Sequence, residues 1–215
     1  MGTRSYVQYC PIAFALDALG DRWSLLILRD LLFGPQRFTD LRSSLTGLAT
    51  NLLTERLRSL EESGLIAREE LPPPAARTVY ALTAQGREVA PVLTALARFG
   101  SRRLPVPAPE HVVRPRAALA GAVAAFHDAS AAADHDEEYR VVIDGESFDV
   151  RGSDGRFRPS RVNAAIAATI TTTSDVLLAI RRGEATFAEA LATGQVEVNG
   201  PDSAVDSFRA AFALG

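Results

Sequence analysis

The sequence predicts an α+β chain made of two domains, and three observations carry that reading. Residues 105–116, Pro-Val-Pro-Ala-Pro-Glu-His-Val-Val-Arg-Pro-Arg, hold four prolines, a stretch that cannot continue a helix and behaves as a semi-rigid extended spacer. The formal charge changes sign at the same place. Residues 1–104 carry 13 Arg against 10 acidic side chains, and residues 105–215 carry 10 Arg against 16. Before the spacer, apolar residues recur at helical spacing up to one short hairpin; after it, alternating and helical segments interleave. These place the boundary at 105–115, between domains 1–104 and 116–215.

The 215 residues supply core enough for two small domains, and 47% hydrophobic with 23% charged residues is ordinary globular usage. A net charge of −3 argues against a whole-chain polycation. All 23 basic residues are Arg, which reads as the coding bias of a GC-rich genome. The single cysteine, Cys10, excludes an internal disulfide framework and a thiolate zinc cluster. The apolar run Ile12 to Leu16 is broken by Asp17, so no secretory signal is expected. No stretch of about 18 apolar residues predicts a membrane span, and a cytoplasmic location is expected.

In the first half, Pro11 to Leu19 reads as a short helix with Cys10 near its N-cap. Arg22 to Phe33 is a second helix, ended by Gly34-Pro35. Thr39 caps a third, Asp40 to Leu45, and a fourth runs from about Ala49 to Ser63, closed by Gly64. Leu65 to Leu71 and Thr78 to Leu82 are strands joined by a proline-rich turn, and a long helix follows from Ala84 to Leu104. Short helices feeding directly into a hairpin are the order of a winged helix-turn-helix.

The fourth helix is the one that would read DNA. At 100° per residue, Ala49, Leu53, Leu57 and Leu60 share one stripe, and Asn51, Thr54, Glu55, Arg58 and Glu62 lie opposite. Thr50, Asn51 and Thr54 are short hydrogen-bonding residues at the end that would enter a major groove. Asn can bond adenine bidentately, Arg can bond guanine, and Thr offers a hydroxyl and a methyl. Arg58 can equally pair with Glu55 or Glu62 at helical spacing. Arg37, before the third helix, and Arg77, on the wing, are candidate phosphate or minor-groove contacts, or plain solvated arginines.

Several strings here resemble the HxlR family of winged-helix regulators, which are MarR-like: Cys10-Pro11, Leu19-Gly20-Asp21-Arg22-Trp23-Ser24-Leu25-Leu26, Gly34-Pro35-Gln36-Arg37-Phe38-Thr39-Asp40-Leu41, Leu52-Leu53-Thr54-Glu55-Arg56-Leu57-Arg58 and Tyr80-Ala81-Leu82-Thr83. The likeness spans about residues 6–103. It implies a homodimer joined through the N-terminal segment and the 84–104 helix, with two recognition helices on an inverted-repeat operator of double-stranded DNA. Trp23 is expected to be a core residue. Some members of that family sense oxidants or electrophiles through a cysteine at the position of Cys10. A helix start also favours a thiolate; the ordinary alternative is a small hydrophobe at the dimer contact.

In the second half, Arg116 to Ala133 is an Ala-rich helix, and Tyr139–Ile143 and Phe148–Arg151 form a hairpin through Asp144-Gly145-Glu146. An Ile-Ala-Ala-Thr-Ile-Thr strand ends at Thr172. Thr173 and Ser174 cap a helix to Arg182, stopped by Gly183. Thr186-Phe187-Ala188-Glu189 is a capping box, Gln195 to Val198 a short strand, and Asp202 caps a last helix to Leu214. Ile170 to Leu178 and Phe187 to Val198 resemble the SCP-2 sterol-carrier fold. That likeness implies a five-stranded sheet under helices, enclosing an apolar tunnel for fatty acyl or sterol-like small molecules. Phe148, Val150, Phe157, Ile166, Ile170, Leu177, Ile180, Phe187 and Leu191 are then the candidate pocket residues, and each is also what a closed core needs.

Catalysis is not expected. The three histidines are His111, His127 and His135, and Asp134-His135-Asp136-Glu137-Glu138 reads as a solvated loop, so no metal or cofactor is expected. The leading expectation is a dimeric sequence-specific DNA-binding regulator responsive to a small apolar ligand, with Cys10 as a redox-sensing thiol. The alternative is a lipid carrier or structural dimerisation protein whose winged helix does not read DNA.

Overall fold

A computed structural model describes residues 5–71, 77–101, 103, 105, 108, 114–128 and 130–214. The chain forms two compact units, residues 1–93 and 94–215. Most of the proline-rich spacer (106, 107 and 109–113) lies outside the described residues.

The first unit opens with α1 (Pro11–Leu19), which has Cys10 at its N-cap and Pro11 in its first turn. Next comes α2 (Ser24–Leu31), shorter than the expected Arg22–Phe33 because Trp23 sits at its N-cap in the left-handed region, φ 86°. Helix α3 (Phe38–Ser44) begins two residues earlier than expected. Its N-cap is Arg37, whose backbone N–H donates to Asp40 Oδ2 at 3.2 Å, so Thr39 lies inside the helix. Helix α4 (Thr50–Glu62) is followed by Gly64 at φ 72°, where a side chain would be strained. Strands β1 (Ile66–Leu71) and β2 (Arg77–Leu82) pair antiparallel, and residues 72–76 between them lie outside the described residues. Ile27, Leu28 and Leu31 of α2, Leu41 of α3 and Leu53, Leu57 and Leu60 of α4 bury together with Ile66 and Leu82.

The single helix expected over 84–104 is two: α5 (Ala84–Arg87) and α6 (Ala90–Ser101). Pro91 lacks the N–H that would bond the Arg87 carbonyl, and its ring would clash there, so the chain breaks and restarts with proline in the first turn. Thr83 Oγ1 caps α5 by accepting from Gly86 N at 3.0 Å.

The second unit contains α7 (Pro115–Phe126), β3 (Glu138–Ile143), β4 (Glu146–Arg151), β5 (Phe157–Pro159), β6 (Ala168–Thr172), α8 (Ser174–Arg182), α9 (Phe187–Ala192), β7 (Glu197–Asn199) and α10 (Asp202–Ala211). Helix α7 stops well short of Ala133. The Asp128 carboxylate accepts from the backbone of Ser130 (2.9 Å) and Ala131 (3.3 Å), a local turn that competes with helix. The five strands are ordered β5-β4-β3-β6-β7, with β3 and β6 parallel and the other neighbours antiparallel. Asp144 and Gly145, at φ 49° and 83°, make the tight turn between β3 and β4. Tyr139, Val141, Phe148, Val150 and Ile170 are buried on one face of the sheet. On the other, Asp149 is wholly buried under Arg140, whose Nε donates to it at 2.9 Å. In α9 the capping box is complete: Thr186 N donates to Glu189 Oε2 at 2.8 Å, and Glu189 N to Thr186 Oγ1 at 3.1 Å.

Candidate nucleic-acid interface

Helix α4 is held by one edge and open on the other. Leu53, Leu57 and Leu60 are at most 1% exposed, whereas Thr50, Asn51, Thr54, Glu55 and Arg58 are all exposed. Ala49, expected on the packed stripe, is instead the exposed N-cap, because the helix begins only at Thr50. The open edge therefore presents hydroxyl and amide groups at the helix start and a guanidinium two turns further on, the chemistry that reads base edges.

Within that edge some bonding capacity is already committed. Thr54 Oγ1 donates to the Thr50 carbonyl at 3.0 Å, so toward a ligand its hydroxyl acts as an acceptor and its methyl stays free. Arg58 Nε lies 3.7 Å from Glu62 Oε1, with both side chains about two-thirds exposed. An exposed helical pair of this kind is worth only a few tenths of a kcal/mol, so a phosphate or base can displace it. Glu55 lies 3.6 Å from the guanidinium of Arg56, which draws it toward the flank of the helix.

Arg37, at the N-cap of α3, and Arg77, first residue of β2 and opposite Leu71, are both exposed. They flank the helix-turn-helix and the wing, where cations meet phosphates.

Two polar ties that position these elements were not read from the sequence. Arg56 Nη1 of α4 donates to Asp21 Oδ2 at 2.5 Å, bridging α4 to the turn before α2, and Arg56 is only 16% exposed. Asp30 of α2, 1% exposed, takes Arg29 Nε at 2.9 Å on one oxygen and Ser44 Oγ at 2.5 Å on the other, locking α2 to α3. Both join residues distant in sequence, and the signal available was a charged residue interrupting an apolar helix face.

Cys10 carries a free, half-exposed thiol. Around it the surface is apolar: Tyr6, Val7, Tyr9, Ile12 and Phe14 are each more than half exposed, and only Ala13 of α1 is buried. Helix α6 buries no residue and exposes Val92, Leu96 and Phe99.

In the second unit, an apolar cavity of about 50 Å³ lies between the sheet and helices α7, α8, α9 and α10. Five expected pocket residues line it: Val150, Ile170, Leu177, Ile180 and Phe187. Four do not. Phe148 is buried elsewhere in the core, Phe157 is half-buried on β5, Ile166 borders an open groove beside Asp136–Glu138, and Leu191 points to solvent. The remaining wall includes Leu119, Phe126, Phe208, Phe212 and Leu214, from helices at the two ends of this half. Beside it, burial and then the Glu137 charge push the Tyr139 hydroxyl up to about 12, so it stays protonated.

The HxlR-like helix-turn-helix family model matches residues 18–107. An HTH-type transcriptional regulator of Synechocystis, sll1512, is 46% identical over 92 residues, covering 43% of this chain and 68% of its own length. The HTH-type transcriptional regulator YvaP of Bacillus subtilis is 36% identical over 95 residues, covering 44% of this chain and 88% of its own. Among solved structures, the reduced form of the transcriptional regulator YodB from B. subtilis aligns at 29% identity and a TM-score of 0.40, covering 44% of this chain and 94% of its own. With two relatives above 30% identity matched over more than two thirds of their length, the chain belongs, through its first half, to the HxlR-like helix-turn-helix family.

Proposed function

We propose that the protein is a dimeric, sequence-specific DNA-binding transcriptional regulator. One observation carries the reading: the exposed Thr50-Asn51-Thr54 edge at the start of a helix whose opposite edge is entirely core. Asn51 and Arg58 supply base contacts, Thr50, Thr54 and Glu55 trim the fit, and Arg37 and Arg77 hold phosphates. The exposed apolar residues of α1 and α6 support a homodimer, whose two recognition helices meet an inverted-repeat operator. Cys10, half-exposed at a helix N-cap within that surface, is the proposed thiol switch, acting through an intersubunit or mixed disulfide.

The domain arrangement goes with this reading: winged helix-turn-helix 1–104, spacer 105–115, and a sterol-carrier-like domain 116–215 that responds to a small apolar ligand. Its support is the mixed five-stranded sheet and the apolar cavity beneath the helices. A fatty acyl or sterol-like molecule needs far more than 50 Å³, so such a ligand enters only by moving the walls outward.

The test is a gel shift at physiological salt on DNA selected from a random pool, with scrambled duplex as control. Retention of the selected sequence at least a hundredfold over the scrambled one is expected. Equal retention supports instead a carrier or dimerisation protein, the reading that the cavity alone would favour.

A further inference from the structure

The cavity of the second unit has walls that decide what it can hold. Among the described residues they are aliphatic and aromatic side chains, with Thr172 as the one polar side chain. Its hydroxyl donates to the Gln195 carbonyl at 3.1 Å, so its proton is committed. Among the described residues, none that lines it is charged, and the lining includes no Asn, Gln, His, Ser or Tyr side chain. A carboxylate drawn inside would lose its water with nothing to replace it. An uncharged hydrocarbon would meet Phe126, Phe187, Phe208 and Phe212 and lose nothing.

Size narrows the class further. An apolar cavity of about 150 Å³ takes up benzene, and this one measures about 50 Å³. A single ring therefore needs a modest outward shift of one wall, whereas a long chain needs the core opened. One wall is the turn after α10, which carries Phe212 and Leu214. There Ala213 stands at φ 44°, a left-handed conformation costly for a residue with a Cβ. Leu214 is tethered by its N–H to Arg209 O (2.9 Å) and its carbonyl to Arg209 Nε (3.2 Å).

Resting on the ligand-responsive reading above, we propose that this cavity selects compact uncharged ring hydrocarbons and their neutral derivatives, and rejects carboxylates of the same shape. The specificity lies in the lack of a charge anchor among the described lining residues.

The probes are fluorobenzene and 4-fluorobenzoate, titrated into the full-length chain at neutral pH and followed by fluorine NMR. Fluorobenzene binding at least a hundredfold tighter than 4-fluorobenzoate is expected, with Ala122→Leu, which fills the cavity from α7, abolishing it. Circular dichroism checks that this variant keeps its fold, and Val123→Phe serves as a second filling variant if it does not. Equal or tighter binding of the benzoate, lost in the filled variant, overturns the proposed class while leaving a ligand site standing. Fluorobenzene binding that survives filling lies elsewhere and overturns the assignment to this cavity. If neither probe binds, this proposal fails alone, and the ligand-responsive reading is decided separately by whether a long-chain fatty acid or a sterol raises the melting temperature.

Discussion

The tie between Asp21 and Arg56 joins α4, the proposed recognition helix, to the turn before α2, and breaking it should be measurable twice. Arg56→Met keeps the aliphatic stem that packs along α4 while removing the charge, and Asp21→Asn removes the partner. With charge centres about 4 Å apart at an effective dielectric near 20, the gross attraction is about 4 kcal/mol. Asp21 is 53% exposed and Arg56 16% exposed, so solvent screening of one partner and desolvation of the other reduce the net to about 1.5 kcal/mol, above the exposed-pair range. A double-mutant cycle in urea should return a coupling of about that size. If α4 reads DNA through Asn51 as proposed, operator affinity of either single variant should fall about tenfold as the helix shifts, and its salt dependence should stay that of the parent, since the proposed phosphate contacts of Arg37 and Arg77 are untouched. A coupling below about 0.3 kcal/mol, or unchanged operator affinity, would refute the positioning argument.

Other outcomes follow from the same geometry. Asn51→Ala should cost about 1–3 kcal/mol of operator binding and relax specificity at one base pair, whereas Arg77→Ala should weaken all sequences alike and lower the salt slope by about one phosphate; competitive gel shifts against single-substituted operators separate the two. Asp149→Ala strands Arg140 beside a wholly buried site and should destabilise the second unit by about 3–5 kcal/mol in chemical denaturation. A Cβ at Gly86 would stand 1.8 Å from the Leu65 carbonyl oxygen, so Gly86→Ala should cost more than about 3 kcal/mol and displace α5 from β1. The Glu189 carboxyl is held below its ordinary 4.5, first by the Thr186 backbone N–H and then by the Thr186 hydroxyl. A lowered folded value means that this stabilisation is present above pH 4.5 and is lost as pH falls through the folded value. Glu189→Gln should flatten that acid limb in a pH series of melting curves, and Thr186→Ala, which keeps the backbone N–H, should reduce it only in part.

Much of this architecture is written in short-range signals. Thr173 and Gly183 bound α8 as their residue types require, the Thr186–Glu189 box opens α9, and Asp144-Gly145 forms the turn between β3 and β4. These are local matters, decided within four residues. Failures came where a distant or competing interaction decided. The apolar period runs unbroken through 84–104, but the missing N–H of Pro91 breaks the helix. The three-residue strand β5 has no pattern of its own and exists because β4 offers it an edge, Phe157 pairing with Val150. The exposed edge of α4 was legible because burial follows helical period. The cavity was half legible: α8 and α9 gave their inward residues, but Phe208 and Phe212 of α10 reach it through tertiary packing.

Helix α6 spans twelve residues and buries none of them. A segment of that length is marginal as an isolated helix in water, and beyond the contact of Leu93 with the core its exposed Val92, Leu96 and Phe99 edge gains from a second surface. With a second copy as that surface, helix content, dimerisation and operator binding form one linked equilibrium governed by mass action. Operator occupancy would then rise with the square of chain concentration while monomer predominates. Small changes in synthesis or degradation would be converted into a threshold in DNA binding, with no effector needed.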